Sequence, residues 1–171
     1  MVLFYFMWGC IVVYLNFISA KFATKRPKLL HDIPLPDLLH DTFPKIHKHV
    51  PDYLLLFCAS LMIYYRPNSK EALRLLCSLS LRPIFICLTT FPTCFQEAEK
   101  EENSSFYSKL FLSKHDLMFS GHTCCFLFFG HTINSICIKY LFPLTLIASR
   151  QHYTIDVIVA MLVYNNIPIL M

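Results

Sequence analysis

The first twenty residues, MVLFYFMWGCIVVYLNFISA, contain no charged side chain. This stretch constrains the chain more than any other. About twenty consecutive apolar residues cross the hydrocarbon core of a bilayer as a helix, which satisfies every backbone N–H and C=O internally. A secretory signal peptide is the rival reading. The missing basic leading region and the bulky aromatics argue against it. Charged residues make up 15 % of the chain and apolar ones 56 %, against about 25 % and about 45–50 % in soluble domains. The expectation is an integral membrane protein.

The rest of the chain repeats the pattern in shorter pieces. Residues 21–51 are polar, basic and punctuated by proline, and read as a loop with a short helix after Pro36. Apolar stretches follow at 52–65, at 75–95 with Arg82 inside it, at 117–138, at 140–149 and at 153–171, and a charged loop occupies 96–116. The count predicts an all-α bundle of about six transmembrane helices, some short or truncated, in a single domain over 1–171. Sidedness has two conflicting signals. Asn103-Ser104-Ser105 is a glycosylation sequon that places loop 96–116 outside the cytosol. With six spans that loop shares a side with Lys21, Lys25, Arg26, Lys28, Lys45 and Lys48, which favour the cytosol.

The net charge of +4 is spread along the chain without a dense basic run, so nucleic acid is a poor partner. The eight cysteines form no CxxC pair. They read as small apolar side chains, with no spacing that suits zinc.

Three polar clusters border apolar segments: HDLMFSGHT at 115–123, RQHYTID at 150–156, and LRPIFICLTTFP at 81–92. Ionisable groups at membrane depth are costly and mark a site, a pathway or a pair. On a helix, His152 and Asp156 lie on one face. Asp156 can then fix the imidazole tautomer and raise the basicity of the other nitrogen, which becomes a nucleophile or base. The alternative is an interfacial pair that only caps a helix. His122, after Ser120-Gly121 at an expected helix start, supplies a second histidine where backbone N–H groups favour anions. One histidine as nucleophile and one as acid for the leaving oxygen is what phosphoryl transfer requires. Gly130-His131-Thr132 repeats the triplet, but His131 points roughly opposite to His122 and reads as structural. Ser120 as nucleophile is disfavoured, because Met118 and His122 stand where G-x-S-x-G needs glycine.

Together these clusters resemble the sphingomyelin synthase family, which is related to the type 2 phosphatidic acid phosphatases. IPLPDLLHD at 33–41 resembles the family's proline-rich loop motif, LRPIFICLTTFP its third-helix motif, DLMFSGHT its D-x-x-x-S-G-H-T motif, and HYTIDVIVA its H-Y-T-x-D-V motif. The resemblance covers residues 33–160. It implies a transferase acting through a phosphohistidine and needing no cofactor or metal. His152 matches the nucleophile, Asp156 its orienting acid, and His122 the acid for the departing diacylglycerol. Asp116 and Arg82 match supporting positions, Ser120 and Tyr153 lie within the matching motifs as supporting residues, and Arg150 is a separate candidate to touch the phosphate. The donor would be phosphatidylcholine or phosphatidylethanolamine and the acceptor ceramide, in the Golgi, endoplasmic reticulum or plasma membrane, with self-association left open.

The chain also departs from the family pattern. Lys114-His115 replaces the usual Cys-Gly; SRQH, by contrast, puts Arg150 only two residues before His152, which is not the phosphatase spacing and favours the synthase-like pattern. From His122 to His152 the chain must cross and return with about fourteen residues per leg, or roughly 21 Å of helix against a hydrocarbon core of about 30 Å. Pro143, Asn165, Asn166 and Pro168 interrupt the last two stretches further. The short legs make a non-catalytic truncated homologue one alternative expectation; a lipid phosphate phosphatase, using the same histidines with water in place of ceramide, is the other, and the arginine spacing counts against it.

Overall fold

A computed structural model describes residues 2–24, 34–89, 91, 92, 94 and 117–168. Asp116, with the sequon and the acidic loop around it, lies outside the described residues. Among those described the protein is all helical. The helices are α1 (Val2–Thr24), α2 (Leu38–Thr42), α3 (Val50–Leu61), α4 (Ser69–Leu88), α5 (Gly121–Ile133), α6 (Phe142–Ala148) and α7 (Thr154–Asn166), and a π-helical turn (Cys137–Leu141) leads into α6.

Local chemistry sets the ends of these helices. Asn68 caps α4 by accepting from the Lys70 N–H at 3.1 Å, so α4 begins well before the apolar run expected at 75. It ends at Leu88, where Thr89 turns extended; Pro92 follows three residues later. Helix α3 stops at Leu61 rather than at 65, and Pro67 lies beyond. Ser120 caps α5 through the Thr123 N–H at 3.2 Å. Asn134, at φ 57°, ends α5 in the left-handed conformation that asparagine tolerates. The expected stretch 117–138 is thus a helix of 13 residues.

Helix α5 lies at the centre, packed against α3, α4, α6, α7 and the π-turn, whereas α1 packs chiefly on α4. Two apolar clusters fill the interior. Cys58, Phe126, Leu146, Ile147 and Val157 form one, and Phe119, Cys124, Leu127, Ala160 and Tyr164 form the other. Of the cysteines only Cys58 and Cys124 are buried, and Cys10 and Cys137 are exposed, so the expectation of buried thiols holds for a minority. At Gly130 the π-turn comes so close that a Cβ would sit 2.8 Å from the Lys139 backbone nitrogen.

Among the described residues one helix, Leu3–Ala23, is long and apolar enough to cross a membrane; α3, Cys137–Ala148 and α7 are apolar but shorter. Two side chains of α1 make polar contacts with α4. Asn16 Nδ2 donates to the Leu79 carbonyl at 3.0 Å, and Trp8 Nε1 donates to Ser80 Oγ at 3.1 Å. Its other faces expose Phe4, Phe6, Val13 and Tyr14.

Candidate functional site

The ends of α1 and α4 and the starts of α3, α5 and α7 gather at one end of the bundle. Asp156 joins two of the sequence clusters there. It sits in the first turn of α7 and is fully buried. One carboxylate oxygen accepts from the Met118 N–H at 2.8 Å; the other accepts from the Tyr153 N–H at 3.0 Å and pairs with His152 Nδ1 at 3.2 Å. The Ser120 N–H donates to the Asp156 carbonyl at 3.4 Å. The D-x-x-x-S-G-H-T and H-Y-T-x-D-V stretches therefore meet on one side chain. The contact to the Tyr153 N–H is also the reach-back half of a helix capping box, so the cap and the His–Asp pair are one arrangement rather than alternatives.

With Nδ1 turned to Asp156, His152 presents Nε2 as its other ring nitrogen. Its side chain is 9 % exposed, enough to be reached but largely out of water. Nδ1–H donating to the carboxylate leaves the lone pair on Nε2, the state a nucleophile needs. Met118 holds φ 85° and Arg150 φ 61°. Both lie in the loops beside this pair, and strain of this kind gathers at functional sites.

His122, in the first turn of α5, makes a second His–carboxylate pair: Nε2 lies 3.0 Å from Asp52 Oδ1. Asp52 is on α3, and its other oxygen meets His49 Nδ1 at 3.3 Å. Sequence reasoning missed Asp52, because in DYLLLF it reads as the polar edge of an apolar stretch and its partner lies seventy positions away. Its place one turn into a helix beside two histidines is visible only in three dimensions.

The proline-rich stretch straps the His152 loop in place. Asp37 accepts from the Thr154 N–H and hydroxyl, both at 2.6 Å, while capping α2 through the Leu39 N–H at 3.0 Å. Burial opposes the charged form of Asp37, but the bonds from Thr154 and the nearby His40 outweigh it and hold its pKa below the ordinary carboxylate value. His40 Nε2 meets the His152 carbonyl at 3.0 Å, and its ring stacks on Tyr153 with centroids 5.5 Å apart. Buried Tyr153 accepts from the Leu35 N–H at 3.0 Å and donates to the Pro92 carbonyl at 3.1 Å.

The remaining expected site residues fall into place around this core. Arg150 donates to the carbonyls of His40, Phe43 and Ile147, so its guanidinium is occupied with backbone. Arg82 Nε donates to the Phe119 carbonyl at 3.0 Å and Nη1 to Asn16 Oδ1 at 2.8 Å, which ties α4 both to the α5 entry loop and to α1. Ser120 is buried and capping. Thr123 Oγ1 is buried with no hydrogen-bond partner among the described residues. His131 stacks on Tyr164 at the far end of the bundle, centroids 6.0 Å apart, in keeping with its structural reading. Among the described residues no group of three or more His, Cys, Asp or Glu side chains is arranged to hold a metal ion.

No family model, curated protein or solved structure matched the chain.

Proposed function

We propose that this chain is a multi-pass membrane phosphotransferase of the sphingomyelin synthase type. It would move a phosphocholine- or phosphoethanolamine-like headgroup from a glycerophospholipid to ceramide, in the Golgi, endoplasmic reticulum or plasma membrane. The observation that carries the reading is the pair of motif histidines at one end of the bundle. Each is set against a carboxylate, and the two motif segments are joined through buried Asp156. The apolar residues exposed along α1, α3 and α7 support embedding in lipid.

In this mechanism His152 Nε2 attacks the phosphorus of the donor. The bond to the diacylglycerol oxygen breaks as the His122 imidazolium, stabilised by Asp52, protonates that oxygen. Neutral His122 then takes the proton from the primary hydroxyl of ceramide. The resulting oxygen attacks the phosphohistidine and frees His152. Asp156 steadies the positive charge that appears on His152.

The test is headgroup transfer onto fluorescent ceramide by the protein in vesicles of one phospholipid at a time, beside His152→Ala. Product from the wild type alone supports the proposal and names the donor. Free phosphorylated headgroup without an acceptor would favour a hydrolase. No product from folded protein with any donor would reject the transferase reading in favour of a non-catalytic homologue.

A further inference from the structure

The bundle has a second polar cluster at the end opposite the histidine site. Arg74 Nη1 pairs with Glu71 Oε1 at 2.9 Å, and the Tyr164 hydroxyl donates to Glu71 Oε2 at 3.0 Å. Arg74 lies over the Tyr164 ring at 5.8 Å, and His131 stacks on the same ring with centroids 6.0 Å apart. Helices α5 and α7 run between the two clusters. From His122 to His131 is nine residues and from Asp156 to Tyr164 eight, so at 1.5 Å per residue the clusters are only about 12–14 Å apart along the axis.

The full helices are short as well. Helices α5 and α7 have 13 residues each and α3 has 12, which gives about 18–20 Å against a hydrocarbon core of about 30 Å. Helix α4 is longer, but its charged first turns leave Leu75–Leu88 as the apolar part, again about 20 Å. Tilting only shortens the span of a short helix. Arg74 is held by Glu71 and so is not free to extend towards a distant interface. Exposed Leu56, Phe57, Ile155, Ile158 and Leu162 nonetheless give these helices an apolar outer face.

We infer that the α3–α7 side of this protein is fitted to a locally thinned bilayer, with a hydrocarbon core of about 20 Å, and selects short acyl chains as its lipid neighbours. In a layer of ordinary thickness with the histidine site at one interface, the Glu71–Arg74 pair would lie well inside hydrocarbon, where ionised groups are costly. Thinning brings the opposite interface to that pair. Helix α1, with 23 residues, fits a layer of ordinary thickness, so the deformation is one-sided. The inference rests on the membrane-embedded reading and not on the proposed chemistry.

The chain has a single tryptophan, Trp8, so tryptophan quenching can report on one helix at a time. Leu162→Trp and, separately, Ile158→Trp in a Trp8→Phe background place the probe on the exposed face of α7. The protein is reconstituted into mixtures of unlabelled phosphatidylcholine with dibrominated phosphatidylcholines of graded length, from myristoyl to erucoyl. Both α7 probes should report at least about a twofold preference for the shortest chains, because mismatch costs fractions of a kcal/mol per Å. Strong quenching without a length preference, or with a preference for long chains, overturns the inference while leaving the protein in the membrane. Failure of every brominated lipid to quench either α7 probe or native Trp8 overturns the membrane-embedded reading beneath it. Transferase activity does not enter the readout.

Discussion

Replacing Asp156 with asparagine should disable the site while keeping its shape. Three donors converge on this carboxylate: the Met118 N–H on one oxygen, and the Tyr153 N–H and His152 Nδ1 on the other. An asparagine offers one oxygen and one NH2. If the NH2 replaces the oxygen facing His152, the Tyr153 N–H loses its acceptor and Nδ1 must accept instead. The imidazole proton then sits on Nε2, which removes the nucleophilic lone pair. If the NH2 faces Met118, two N–H groups oppose each other in a site with no exposure. Either orientation sacrifices at least one hydrogen bond to a charged group, worth about 1.5–3 kcal/mol. The wrong-tautomer penalty in a comparable His–Asp arrangement is about 10⁴-fold in turnover. The assay is headgroup transfer to fluorescent ceramide in vesicles, paired with a thermal melt of the purified protein. Expected are a loss of turnover of about 10³-fold or more and a fall of several degrees in melting temperature. Turnover within tenfold of wild type would refute the idea that Asp156 sets the His152 tautomer.

Asp52→Asn should reduce turnover by about 10²-fold with little change in KM, since it removes the carboxylate that holds the His122 ring for proton transfer to the leaving oxygen; steady-state kinetics against donor lipid check this. Arg150→Lys should lower the melting temperature and turnover but leave donor KM unchanged, because the guanidinium binds the carbonyls of His40, Phe43 and Ile147; a large rise in KM would instead make it a phosphate ligand. Gly130→Ala should cost about 1–3 kcal/mol from overpacking against the Lys139 backbone, seen as a lower melting temperature. Asp37 is held below its ordinary pKa, so its contribution to stability is present above the unfolded value and fades as pH falls through the folded one. Melting curves of Asp37→Asn should therefore lie below wild type near neutrality, begin to close on it as pH falls below about 4, and meet it only below the folded pKa.

Those positions show what the sequence made legible. The His152–Asp156 pair is expected from i,i+4 spacing on one helix face, but His152 lies in the loop two residues before α7, and the pair forms because Asp156, in the first turn, reaches back past the Tyr153 cap. The all-helical class was legible from long apolar runs with few breakers. The partner of His122 was not, since pairing across seventy residues leaves no periodic trace. The role of Arg150 was obscured for a related reason. An arginine two residues from a candidate nucleophilic histidine suggests an anion contact, whereas here it satisfies carbonyls of α2 and its C-cap. Helix ends were the least legible. Capping by Asn68 and Ser120 and the left-handed Asn134 decide them, and polar residues of these kinds are scattered through the chain.

Asp156 and His152 differ in how far folding and chemistry can be separated. Asp156 does two jobs at once. It caps α7 and receives the Met118 loop, and it orients the histidine, so any substitution there disturbs both. Among the described residues the His152 side chain makes one hydrogen bond, to Asp156, and its carbonyl is held independently by His40. Removing the imidazole leaves the Met118 and Tyr153 N–H groups on the carboxylate, so the segments should stay joined. A His152→Ala protein that melts like wild type but transfers nothing would assign the missing chemistry to the imidazole alone. The same variant with a collapsed melting temperature would mean that the His–Asp pair is first a structural joint. Activity lost in Asp156→Asn could then not be credited to the tautomer.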